Sequence, residues 1–190
     1  MKKLALSLLF TAFSLASMAQ STWKVDKNHA QLKFDVTHTG ISTVSGAFTD
    51  FDATVTATKE DFSDATFEFT GQTASINTGV EKRDAHLKSP DFFDAAQYPT
   101  LTFKSTSLKK DGSDKYKLMG NLTLHGVTKP VTLDLWYRGT ITNPNNKKQS
   151  AGFRATGTIK RSDFGIGSKF PANMLSEEVM ITADGEFGKQ

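Results

Sequence analysis

From Gln31 to Phe187, apolar and polar residues alternate in segment after segment. A period of two marks strands with one apolar face. Leu32, Phe34, Val36 and His38 share one parity, with Gln31, Lys33, Asp35 and Thr37 on the other. Gly40 permits a turn, and a second strand over residues 44–58 aligns Ala47, Phe51, Ala53, Val55 and Ala57. Phe48 breaks that parity, and Gly46 is the expected bulge that points Phe48 and Phe51 the same way. A third strand carries Ala65, Phe67, Phe69 and Gly71, with parity shifting near Gly71 to Ala74 and Ile76.

Residues 83–99 interrupt the alternation. Ser89 suits a helix N-cap, Pro90 a first helical position and Asp91 the positive end of a short helix. Pro99 then forces an extended residue before it. A short helical insertion carrying Phe92 and Phe93 is therefore expected between strands three and four, placed to plug or gate one end of the fold.

Beyond it, Leu101 and Phe103 alternate with threonines and Lys104, and Asp111-Gly112-Ser113-Asp114 signals a turn. Tyr116, Leu118, Leu122 and Leu124 face Val131, Leu133, Leu135 and Tyr137 across a turn at His125-Gly126, a hairpin pattern. Asn143-Pro144-Asn145-Asn146 is a loop, and Ala151, Phe153, Ala155, Gly157 and Ile159 form a seventh inward face. Residues 161–177 are irregular, and Val179, Ile181, Ala183, Gly185 and Phe187 close the series.

Eight long strands in sequence order, each with one apolar face, form either two stacked sheets or a closed antiparallel barrel. The barrel is favoured because closure removes exposed edges and leaves room for side chains or one apolar ligand. Inward faces that mix large residues with Ala and Gly suit an interior not wholly filled; a dry sandwich core is the alternative.

Composition adds a compartment. Lys2 and Lys3 precede an apolar run over residues 4–18, and Ser17-Met18-Ala19 offers small residues at a cleavage site. Residues 1–19 read as a secretory signal peptide, too short an apolar run to span a bilayer of roughly 20 residues, and residues 20–190 as one mature domain. Without them, 23 basic and 20 acidic residues become 21 and 20. A nearly neutral chain excludes a charge-based argument for nucleic-acid binding. The absence of cysteine excludes a disulfide framework and a lipid-modified cysteine. The expected product is periplasmic or secreted, without a stable membrane anchor.

Several separated motifs resemble one family. They are His29-Ala30-Gln31-Leu32-Lys33-Phe34 with Val36, His38 and Gly40; Val44-Ser45-Gly46-Ala47-Phe48; Ser75-Ile76-Asn77-Thr78; Arg83-Asp84-Ala85-His86-Leu87; Asp91-Phe92-Phe93-Asp94; and Tyr98-Pro99. The stretch from Gly120-Asn121-Leu122 through His125-Gly126-Val127-Thr128-Lys129 and Arg161-Ser162-Asp163-Phe164-Gly165 complete the set. Together they resemble the YceI-like family of secreted bacterial lipid-binding proteins across essentially the whole mature chain. The resemblance implies a lipocalin-like barrel, exported to the periplasm, that binds a polyisoprenoid or similar long-chain amphiphile such as an isoprenoid quinone. Where the family often has Ser, this chain has Ala30, so no hydroxyl is offered there.

The chemistry of individual residues fits a carrier best. His29, His38, His86 and His125 lie in four segments without paired metal-ligand spacing, so no metal is expected and each imidazole is assigned to a backbone group at a strand end or turn. No serine sits in a Gly-x-Ser-x-Gly elbow, Asp91 and Asp94 suit a helix terminus, and the lysines avoid the Phe face; no catalytic residue and no cofactor are expected. Thirteen of fifteen phenylalanines lie beyond residue 19, enough to line an apolar interior. The candidate lining is Phe34, Val36, Phe51, Phe67, Phe69, Ile76, Phe92, Phe93, Phe103, Leu122, Leu133, Leu135 and Phe153. The candidate polar mouth is His38, Arg83, Asp84 and His86; a structural ion pair between Arg83 and Asp84 is the competing assignment. The expected function is transport, storage or sequestration of the lipid. Alternatives are an enzyme acting on a lipid in the same cavity and a stress protein with a filled interior. Barrels of this kind can pair as homodimers, which the alternation does not decide.

Overall fold

The computed structural model describes residues 20–190, so the expected signal peptide over residues 1–19 lies outside the described residues. The alternating segments pair as one antiparallel sheet of β1 (Ser21–His38), β2 (Ser42–Phe48), β3 (Phe51–Ala57), β4 (Thr66–Gln72), β5 (Ile76–Asn77), β6 (Thr100–Lys110), β7 (Lys115–Leu124), β8 (Val127–Thr142), β9 (Gln149–Lys160) and β10 (Leu175–Lys189). β10 pairs back onto β1 from Trp23↔Lys189 to His38↔Leu175, which closes the sheet. Closure leaves the barrel without the free edge that a sandwich of two sheets would keep. β1 pairs with β3 near its start and with β2 near its end, while β4 pairs with β3 and β5 with β2. β2 with β3, and β4 with β5, are thus the two halves of single staves. The barrel is eight-stranded and antiparallel, as expected.

The expected bulge at Gly46 is instead a break at Thr49-Asp50 between β2 and β3, and it is this break that lets Phe48 and Phe51 both turn inward. Gly46 serves another purpose: a Cβ there would lie 2.3 Å from Cζ of Phe34, its cross-strand partner. The parity shift in the third strand is a 3-10 turn over Thr73–Ser75 that buries Thr73 and Ile76 and leaves Ala74 exposed, contrary to the expectation for Ala74.

The helical insertion is present but earlier than expected. α1 spans Glu81–Leu87, starts after Val80 with no side-chain cap, and is followed by turns through Phe92 and Phe93. Ser89 Oγ donates to His86 O at 2.7 Å, closing α1, and accepts from the Asp91 amide at 3.3 Å, so the expected cap is made but opens a run of turns and no helix.

The two barrel ends differ. At the end holding Ser21 and the 58–65 loop, Phe62 and Phe153 lie 5.0 Å apart, with Trp23 and Tyr137 against Phe62, and Phe67 and Phe187 against Phe153. Tyr116 braces this seal by donating its buried hydroxyl to Asp61 O at 2.8 Å. Edge-to-face rings in close contact add to the burial of large apolar areas, so this end is a packed plug. The other end carries the 39–41 turn, the two-residue turn at His125-Gly126, the insertion and the 161–174 loop. Tyr98 lies over Gly126, where a Cβ would meet its ring at 2.4 Å, and edges onto His125.

Candidate functional site

Between plug and insertion the barrel is not filled. A cavity of about 390 Å³ runs along its interior, within the range of small-molecule sites. Its walls come from the inward parity of nearly every stave: Leu32, Phe34 and Val36 of β1, Phe51 of β3, Phe67 and Phe69 of β4, Leu101 and Phe103 of β6, Leu118, Leu122 and Leu124 of β7, and Leu133 and Leu135 of β8. Space remains because small residues meet across three strands. Ala30 pairs with Gly185, Leu32 with Ala183, and Ala183 with Ala155. A larger residue at Gly185 would collide with Ala30, since even a Cβ would lie 2.8 Å from that methyl.

Most of the residues expected at the lining border this space: Phe34, Val36, Phe51, Phe67, Phe69, Phe92, Phe93, Phe103, Leu122, Leu133, Leu135 and Phe153. Ile76 does not. It is buried on the short β5, which pairs only with β2, and packs in the core outside the cavity walls. The pattern also missed Val25, Phe170 and Leu175, which do border the cavity. Val25 precedes a register slip between Val25 and Ala30 that reverses the parity of β1. Phe170 and Leu175 sit in or just after the irregular 161–174 loop, where no period exists to read.

Over the open end, Phe92 stacks on Phe170 with centroids 4.8 Å apart, His86 meets Phe92 edge-on at 5.0 Å, and Phe93 meets Phe48 at 5.6 Å. Gly167 allows this nesting, for a Cβ there would come within 2.9 Å of the Phe92 ring. Asp91 ties the two segments together, accepting from Lys169 Nζ and sharing a 3.1 Å contact with His86 Nε2. The bond from Lys169, followed by that from His86, holds its carboxyl below the usual carboxylate range.

Of the four polar residues expected at the mouth, His38, Arg83 and His86 border the cavity and Asp84 does not. Arg83 and Asp84 converge on Thr78 and not on one another. Arg83 donates from Nε to Thr78 Oγ1 at 2.7 Å and from Nη2 to Thr78 O at 3.0 Å. Asp84 Oδ1 accepts from the Thr78 amide and hydroxyl at 2.8 and 2.6 Å. The carboxylate therefore ties α1, which carries Arg83, to the loop at Thr78. Among the described residues, His125 alone of the histidines meets a backbone group as expected, with Nδ1 3.0 Å from Phe164 O; His29 bonds Asp26, His38 lies against Thr39, and His86 bonds Asp91. Among the described residues no set of three or more His, Cys, Asp or Glu gathers as a metal site.

Arg161 stands in one of the family motifs, but its role was not legible in the sequence. It is buried, and its guanidinium donates to the carbonyls of Ile166, Gly167, Phe170, Leu175 and Ser176 and to Glu177 Oε1 at 2.6–3.1 Å. One side chain thus gathers the whole 161–174 loop, whose Phe170 roofs the cavity. A lone Arg before a glycine-rich, proline-containing stretch was the available signal.

Comparison with known proteins gives these features relatives. A model of the YceI-like domain matches residues 23–187. Protein YceI of Escherichia coli O157:H7 is 40% identical over 189 residues, covering 97% of this chain and 98% of that one. The crystal structure of the Campylobacter jejuni YceI protein superposes with a TM-score of 0.74 at 28% identity, covering 100% of this chain and 99% of the other. A polyisoprenoid binding domain from Saccharophagus degradans superposes with a TM-score of 0.66 at 16% identity, over 87% of this chain and 97% of that one, a likeness of fold.

Proposed function

The chain belongs to the YceI-like domain family, and from that premise we propose that its barrel binds a long-chain prenyl lipid, of the isoprenoid-quinone type, and carries or stores it unchanged in the periplasm. The observation that carries this reading is the apolar cavity of about 390 Å³ left inside a closed barrel. The fold it shares with a domain described as polyisoprenoid-binding supports the same ligand class.

Magnitudes favour a long tail. Association costs on the order of 4–15 kcal/mol in lost freedom, and each buried methylene-sized group returns about 0.8 kcal/mol. A ligand held almost wholly by apolar walls therefore needs many carbons, which a prenyl chain supplies. The tail lies against Phe34, Phe69, Phe103, Leu122 and Phe153, with Phe92 and Phe93 folded over it. At the mouth His38, Arg83 and His86 face an acceptor-bearing head group, while Asp84 braces Thr78 away from the cavity. Export is supported by Lys2, Lys3 and the apolar run before Ala19.

Protein purified from the periplasm of its host is extracted into organic solvent and the extract separated by mass spectrometry. The expected result is a prenyl lipid at about one per chain. Extracts free of lipid, from protein that also fails to take up a prenyl quinone, would overturn the reading.

A further inference from the structure

We propose that Phe153 sets the longest prenyl chain the barrel accepts, an inference that rests on the lipid-binding reading above. At the sealed end the cavity stops against Phe67, Phe153 and Phe187. Phe153 is the hub of that floor: its ring lies 5.4 Å from Phe67, 5.6 Å from Phe187, 5.5 Å from Tyr137 and 5.0 Å from Phe62. Phe62 and Trp23 do not border the cavity; they pack 5.2 Å apart as a second layer beneath it. The floor is therefore two aromatic layers deep, with Phe153 joining them.

Directly above Phe153 on β9 the next inward residue is Ala155, whose cross-strand partners are Leu135 and Ala183. The free space thus lies beside and above the Phe153 ring, over Ala155, Ala183 and Gly185. His38, Arg83 and His86 all border the opposite end, so the head group stays there and the tail terminus meets the floor. A close-packed floor does not yield to an extra repeat. A chain one isoprene unit too long must leave that unit in water or displace the insertion and the 161–174 loop at the open end.

The phenyl ring that Phe153→Ala removes is close in size to one isoprene repeat, and the second layer of Trp23, Phe62 and Tyr137 still seals the barrel. Ala155→Leu does the reverse, filling the space above the floor.

The test is a ladder of all-trans prenyl alcohols of increasing length, bound to the purified protein and to each variant and read by native mass spectrometry. Melting curves establish that each variant is folded. The wild type is expected to show a cut-off, with affinity falling about tenfold or more for the first alcohol that exceeds the cavity. The cut-off moves up by one isoprene unit in Phe153→Ala and down by one in Ala155→Leu. If Phe153→Ala does not fold, the downward shift in Ala155→Leu decides the matter. Wild-type binding without a cut-off, or a cut-off unmoved in the folded variants, overturns the ruler and leaves the lipid reading standing. Failure of the wild type to bind any prenyl alcohol overturns both.

Discussion

Asp84 and Gly120 show how much single residues contribute. Asp84 accepts two hydrogen bonds from Thr78 and stands off the cavity. Hydrogen bonds to a charged group contribute roughly 1.5–3 kcal/mol. Asp84→Ala is therefore expected to lower the melting temperature while lipid content per chain stays near wild type; a loss of lipid without a loss of stability would make Asp84 a ligand contact. Gly120 faces a stricter limit. A Cβ there would lie 2.3 Å from Phe103 Cζ and 2.7 Å from the Lys104 carbonyl oxygen, and a carbonyl held in a ladder cannot step aside. Gly120→Ala is expected to cost about 1–3 kcal/mol in urea denaturation. At this scale the sequence reveals which residues share a face, because parity is set by the pleat. Phe103 and Leu122 could be assigned from alternation alone. Asp84 could not, since the choice between loop and cavity depends on where Thr78 comes to lie.

Among the elements, those that close the open end depend most on polar contacts. Arg161 satisfies three carbonyls of the 161–174 loop and two at the start of β10 at once. Arg161→Ala leaves those acceptors and Glu177 without their donor, a loss of about 3 kcal/mol, and should expose residues 161–174 to limited proteolysis. Arg161→Lys is expected not to rescue the loop, because an ammonium cannot span the same set of acceptors.

Asp91 adds a pH dependence. Its carboxyl is depressed by Lys169 and then His86, so its contribution is present above the ordinary carboxylate pKa of about 4 and is lost as pH falls through the lower folded value. Hydrogen-exchange protection across residues 161–174, taken relative to the intrinsic amide rate at each pH, should be high at neutral pH and fall only below about pH 4. Asp91→Asn should lose part of that protection already at neutral pH; unchanged protection in that variant would show that the 161–174 loop does not depend on this contact.

The elements themselves were legible where the period was unbroken, as in the hairpin of β7 and β8. They were not where register slips: β1 changes parity between Val25 and Ala30, so its first turn of sheet was invisible. The helix was misplaced because Ser89-Pro90 mimics an N-terminus, whereas α1 begins without a side-chain cap.

The whole molecule is a barrel because β1 meets β10, a pairing between chain segments some 150 residues apart that no local pattern encodes. Strand number, single apolar faces and the absence of long helices narrowed the choice to barrel or sandwich, and only the pairing decides it. The mixture of Phe with Ala and Gly on the inward faces did point to unfilled space, and the Ala30, Ala155, Ala183 and Gly185 patch is where that space lies. Stability and ligand capacity therefore compete in one interior: filling the cavity should raise the melting temperature and abolish binding together.

The central claim is that this cavity holds the lipid tail, and the most direct test is native mass spectrometry of delipidated protein with an added prenyl quinone, for wild type and for a cavity-filling Ala183→Trp variant. The expected result is one quinone per wild-type chain and none on the folded variant. Equal occupancy of both proteins, or no adduct on the wild type, would contradict it.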